Sequence, residues 1–196
     1  MPTKSALAVV FSIFLFAGVM LAQPAQQTTK TNHEALSSVE RSFINSAQEG
    51  NLAEIEIAKI VEQKATDPAV KDFASRMVTD HTQLSQDLKT LAESSGATLP
   101  TQLTAAEKTQ KDNLEKLSGA KLDDAYVNSQ LADHKEAISA YENEIEHSHN
   151  QAVKDYAEKA LPTLQDHIRI SEDIAGKMDM SGKAGLTQES KAIAAK

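Results

Sequence analysis

The chain has 196 residues, enough for one domain with its own core. It contains no cysteine, which excludes disulfides, thiolate metal sites and a Cys nucleophile, and its net charge of -8 argues against a nucleic-acid partner. Aromatic residues make up only 4% and Gly and Pro are few, a composition that favours helices over sheet.

Residues 1–22 read as an export signal. Lys4 supplies the positive start, Ala6 to Leu21 is an uncharged run, and Ala22 offers a small residue for cleavage. The run is shorter than the roughly 20 apolar residues of a spanning helix, so no membrane span is expected after cleavage. The protein is therefore expected in the periplasm or outside the cell. Residues 23–34 are rich in Gln and Thr without apolar period, and are expected to be a disordered leader.

Residues 35–176 carry four long amphipathic segments. The first helix is predicted from Ala35 to Ala65, with Phe43, Ala47, Glu54, Ile57 and Val61 on one face. Thr66-Asp67-Pro68 makes the turn, with Asp67 as N-cap and Pro68 at the first helical position. The second helix is predicted from Pro68 to Ser94. Val70, Phe73, Met77, His81, Leu84, Leu88 and Leu91 form its seam, and Gly96 stops it.

Residues 95–121 form a connection of 27 residues with a short helix, opened by the capping box Thr104/Glu107 and closed by Ser118-Gly119. Neighbouring antiparallel helices need only about 2 to 8 linking residues. A link this long runs the length of the domain and leaves the second and third long helices parallel. The third long helix is predicted from Leu122 to Ser148 and the fourth from Gln151 to Ala175, with Pro162 predicting a kink. Residues 177–196 are expected to be a flexible tail.

One phrase occurs twice. Ala69-Val70-Lys71-Asp72-Phe73-Ala74 returns 83 positions later as Ala152-Val153-Lys154-Asp155-Tyr156-Ala157. The same offset pairs Phe43-Ile44-Asn45-Ser46 with Tyr126-Val127-Asn128-Ser129, and Asp67 with Asn150. The fold expected is all-α: a ferritin-like four-helix bundle from a duplicated helical hairpin, with a long crossover.

Asp-His occurs three times, as Asp80-His81, Asp133-His134 and Asp166-His167, each on a different helix. Glu54 lies on the stripe of the first helix. Counted from the hairpin turns at 1.5 Å per residue, Glu54, His81, His134 and His167 all fall roughly 18 to 25 Å along their helices, near mid-height. Neutral imidazoles with one carboxylate suit a single transition metal such as zinc, iron or copper. Asp80, Asp133 and Asp166 are candidates to accept the second ring proton of a histidine on a neighbouring helix. The alternative is a metal-free polar layer that sets the register of the helices, in an envelope protein acting through its surface. No motif links a Ser, His and acid, and no phosphate-binding Gly loop is present, so no catalytic residue and no organic cofactor is read. The sequence names no protein partner. Glu144-x-x-His147 has di-iron spacing but sits in the last turn of its helix.

Phe43-Ile44-Asn45-Ser46-Ala47, Arg76-Met77-Val78-Thr79-Asp80-His81-Thr82, Lys116-Leu117-Ser118-Gly119-Ala120, Asp133-His134 and Leu161-Pro162-Thr163-Leu164 before His167 resemble the exported bacterial "domain of unknown function 4142" family, from about residue 38 to 176. The resemblance implies a ferritin-like helical bundle and export to the cell envelope or outer membrane, and no established activity. Di-iron members of the wider ferritin-like group carry Glu three residues before His. Here Val78 and Leu164 occupy those positions, which argues against a di-iron oxidase and leaves a mononuclear site.

Overall fold

A computed structural model describes residues 35–194, with side chains for 35–179. The expected signal and leader, residues 1–34, lie outside the described residues. All regular structure among the described residues is helical: α1 (Ser38–Lys64), α2 (Pro68–Ser95), α3 (Ala105–Glu115), α4 (Ala120–His147) and α5 (Gln151–Ala194).

Local chemistry explains these ends. Ser37 caps α1 in a capping box with Glu40, and Thr104 caps α3 in a capping box with Glu107. Asp67 accepts from the Ala69 amide at 2.8 Å, with Pro68 next to it. Gly96 ends α2 at φ 67°, a left-handed conformation that glycine adopts at little cost. Two boundaries differ from expectation. The helix of the crossover ends at Glu115, ahead of Ser118-Gly119. Helix α5 runs through Pro162 and on to Ala194, well past Ala175. Ile170, Ala175 and Met178 pack on the core, which extends the apolar stripe of α5 a turn past Ala175.

The four long helices pack pairwise as α1 on α2, α2 on α5, α5 on α4 and α4 on α1. The direction of each follows from two clasps. The Asp123 carboxylate, at the start of α4, accepts from the Thr66 amide and hydroxyl and the Asp67 amide, in the α1–α2 turn. The Glu40 carboxylate, at the start of α1, accepts from the Ser148 hydroxyl and the Asn150 amide, in the α4–α5 turn. Glu40 and Asp123 are 83 residues apart, as are Asp67 and Asn150. Each half of the repeat therefore caps the turn of the other. The clasps make α2 and α4 parallel, so the crossover spans the domain as its length predicted.

The core has two apolar halves. One joins Val61, Val70, Phe73, Met77, Leu122 and Tyr126; the other joins Ile44, Leu84, Leu88, Tyr141, Tyr156 and Leu164. Between Met77 and Leu84 on α2, and between Val127 and Tyr141 on α4, lies a polar layer.

Candidate metal centre

His81, His134 and His167 meet in that layer. They are 4%, 2% and 0% exposed, and one ring nitrogen from each lies within 4.8 Å of the other two. Their ring centroids are 5.1 to 5.6 Å apart. Helical periodicity places each on the inward stripe, and the antiparallel neighbours bring the three to one height.

Each imidazole has one nitrogen turned outward to an oxygen. His81 Nδ1 is 2.9 Å from Asn51 Oδ1. His134 Nδ1 is 3.1 Å from the Gln130 carbonyl oxygen. His167 Nε2 is 2.9 Å from Asp80 Oδ2. Carbonyl and carboxylate oxygens only accept, so a proton on each of these outward nitrogens satisfies all three contacts. That leaves three bare nitrogens: His81 Nε2, His134 Nε2 and His167 Nδ1. The last two face each other at 3.1 Å, and His81 Nε2 is buried with no partner.

Burial keeps these rings neutral. Desolvation, then the neighbouring His134 and His167, holds His81 well below the usual imidazole range. Desolvation, with His167 beside it, lowers His134 to about 3, against a weaker lift from the Gln130 carbonyl. His167 is lowered by burial, while Asp80 opposes the shift. Neutral imidazoles with outward N–H groups anchored by carboxylate or carbonyl oxygens are the usual state of metal-binding histidines. A zinc ion about 2.0–2.1 Å from each nitrogen sets N···N separations of roughly 3.3 Å. The His134–His167 pair, at 3.1 Å, is close to that spacing, and the three nitrogens lie within 4.8 Å of one another, so the trio could hold a metal ion.

The other sequence candidates fall in different places. Glu54 is buried on α1 but lies outside the trio. Its Oε2 accepts from Gln130 Nε2 at 2.9 Å, and its Oε1 is 4.0 Å from the outward Nδ1 of His134. Desolvation raises its carboxyl to about 8, with Gln130 pulling down and Asp133 pushing up. Of the three aspartates, Asp80 contacts a histidine, His167 on the neighbouring helix. Asp133 instead accepts from Gln110 of α3 at 2.7 Å, and Asp166 pairs with Arg76 and Arg169 at the surface. Glu144 is buried at the far end of α4 and His147 is exposed, so that spacing contributes nothing to the trio. Asn51 and Gln130, which hold two of the histidines, were not read from the sequence. The repeat offset carried a signal for Asn51, which is equivalent to His134.

The profile of the domain of unknown function DUF4142 matches residues 25–174. The chain belongs to the DUF4142 family. No curated protein matches it. This DUF4142 chain is similar in fold to a DUF305 fragment from Deinococcus radiodurans, with a TM-score of 0.65 and 11% identity over 74% of this chain and 99% of that one. It is likewise similar to a DUF305 protein from Streptomyces coelicolor described as secreted, with a TM-score of 0.62 and 14% identity over 72% and 92% of the two chains. At these identities the likeness speaks for the fold alone. No helix among the described residues is long and apolar enough to cross a membrane.

Proposed function

We propose that this DUF4142 protein is an exported, ferritin-like four-helix protein of the cell envelope that binds one transition-metal ion through His81, His134 and His167. The observation that carries the reading is the division of labour on each ring. Each imidazole has its outer nitrogen on an oxygen acceptor and its inner nitrogen at a shared centre. Three neutral nitrogen donors select copper or zinc over magnesium or calcium, which prefer oxygen. Asp80, Asn51 and the Gln130 carbonyl orient the rings. Glu54 sits outside the donor set, bound to Gln130 behind His134. The uncharged run at residues 6–21 supports export.

The test is direct. The mature protein is prepared without chelator or histidine tag, titrated with Cu2+ and Zn2+, and its bound metal counted by mass spectrometry. One ion per chain is expected, with His81→Ala and His167→Ala each abolishing stoichiometric uptake. A wild-type protein that stays empty in excess of both metals would contradict the proposal.

A further inference from the structure

The three imidazoles are enclosed by the apolar halves of the core, yet a cavity of about 450 Å3 reaches two of them, His81 and His134, from one side. It lies between α1, α4 and the start of α3. Asn51, Glu54, His81 and His134 line its inner part. His81, 4% exposed, carries the unpartnered Nε2 noted above. Towards solvent the lining includes the carboxylates of Glu49, Glu107, Asp133 and Glu136, and it contains no Lys or Arg. Glu107 caps α3 and Asp133 holds Gln110, whereas Glu49 and Glu136 make no ion pair among the described residues.

We infer that this cleft is a vestibule for hydrated divalent cations, which it draws from solvent and passes to the three imidazoles. The inference rests on the metal-binding reading above. Size permits it: a cation with six waters needs roughly 200 Å3, taking about 30 Å3 per water. Charge favours it, because carboxylates on low-dielectric walls concentrate cations and repel anions. Chemistry completes it, since wall oxygens can replace shed water before nitrogen donors take over at the floor. The crossover helix α3 forms one wall. It is pinned to α1 by Lys111–Glu56 at 3.4 Å and to α4 by Gln110–Asp133, which keeps the mouth in place.

Stopped-flow uptake of Cu2+, followed by absorbance, tests the vestibule with two variants of the full mature chain. Glu49→Gln/Glu136→Gln is expected to slow association about tenfold at low ionic strength, with the difference vanishing at high salt. Ala140→Phe, at an exposed position on the cavity wall, is expected to slow association and dissociation by the same factor and leave Kd unchanged. Equal slowing marks a route, whereas damage to the site changes Kd. If the wild type loads and both variants load at its rate, or if Ala140→Phe weakens Kd in step with slower uptake, the vestibule is overturned while metal binding stands. If the wild type takes up no metal, the binding reading itself falls.

Discussion

His134 Nε2 and His167 Nδ1 face each other at 3.1 Å in the centre of the domain. The contact belongs to a chain that runs from the Gln130 carbonyl through both rings to the Asp80 carboxylate. Both ends of that chain are acceptors, so its three gaps need three protons. Two neutral imidazoles supply two. The metal-free protein must therefore leave one contact without a proton or hold an extra proton against desolvation. A metal ion at the inner nitrogens removes the conflict.

The first consequence concerns the outer partners. Asp80→Asn replaces the anionic acceptor of His167 and is expected to weaken metal affinity about 10- to 100-fold. Asp166→Asn, also next to a histidine in sequence, loses only surface contacts to Arg76 and Arg169 and is expected to leave affinity within about twofold. Isothermal titration of the two variants checks this contrast.

The polar layer is poorly satisfied on its own. His81 Nε2 and Asn51 Nδ2 are both buried without partners. Replacing both residues, as Asn51→Leu/His81→Leu, is expected to raise metal-free stability by about 1 to 4 kcal/mol and abolish metal-induced stabilisation. Denaturant unfolding with and without Zn2+ reads both effects. A polar layer kept for structure would lose stability instead.

The pH dependence of the metal-free protein follows from two opposed shifts. His134 in the folded state stays neutral until about pH 3, whereas the unfolded imidazole takes a proton near 6.5. The unfolded state then binds more protons, so stability is lost as pH falls below 6.5. His81 and His167 are shifted the same way and steepen this limb. Glu40 adds to it. Burial raises its carboxyl, but hydrogen bonds from Ser37, Ser148 and Asn150 prevail and bring it to about 2, so its contribution is lost as pH falls from 4.5. Glu54 acts in reverse. Its folded carboxyl keeps a proton up to about pH 8, whereas the unfolded one releases it near 4.5, so stability falls as pH rises through that window. A stability maximum near pH 6.5 is expected, with a decline of about 2 kcal/mol from pH 6.5 to 8. Glu54→Gln should abolish the alkaline decline, as thermal unfolding across pH will show.

The reciprocal clasps make a separate prediction about folding stability. Asp123→Ala leaves the Thr66 and Asp67 amides without their shared acceptor and is expected to cost about 3 kcal/mol. Glu40→Ala at the other end is expected to cost a similar amount. Urea unfolding midpoints measure both.

Much of this was legible in the sequence because it rests on period and length. The 3.6-residue stripe placed His81, His134 and His167 inward, and a 27-residue crossover implied parallel α2 and α4. Glu54 was assigned its stripe correctly, but stripe and height do not resolve the side on which a carboxylate ends. Its oxygens lie behind His134, bound to Gln130. Asn51 and Gln130 were missed because single amides on Gln- and Asn-rich helices do not stand out from surface residues. The two clasps were visible in principle, since Glu40 and Asp123 keep the 83-residue offset, as do the caps Asp67 and Asn150 of the turns they hold. The turn of α5 that follows Ala175 packs Met178 on the core, a tertiary contact that local pattern does not encode.

X-ray absorption at the metal edge of the copper- or zinc-loaded protein tests the central claim most directly. Three imidazoles in the first coordination shell are expected, with the nearest-shell signal unchanged in Glu54→Gln and lost in His167→Ala. An oxygen-dominated shell, or an imidazole count that His167→Ala leaves intact, would contradict the three-histidine centre.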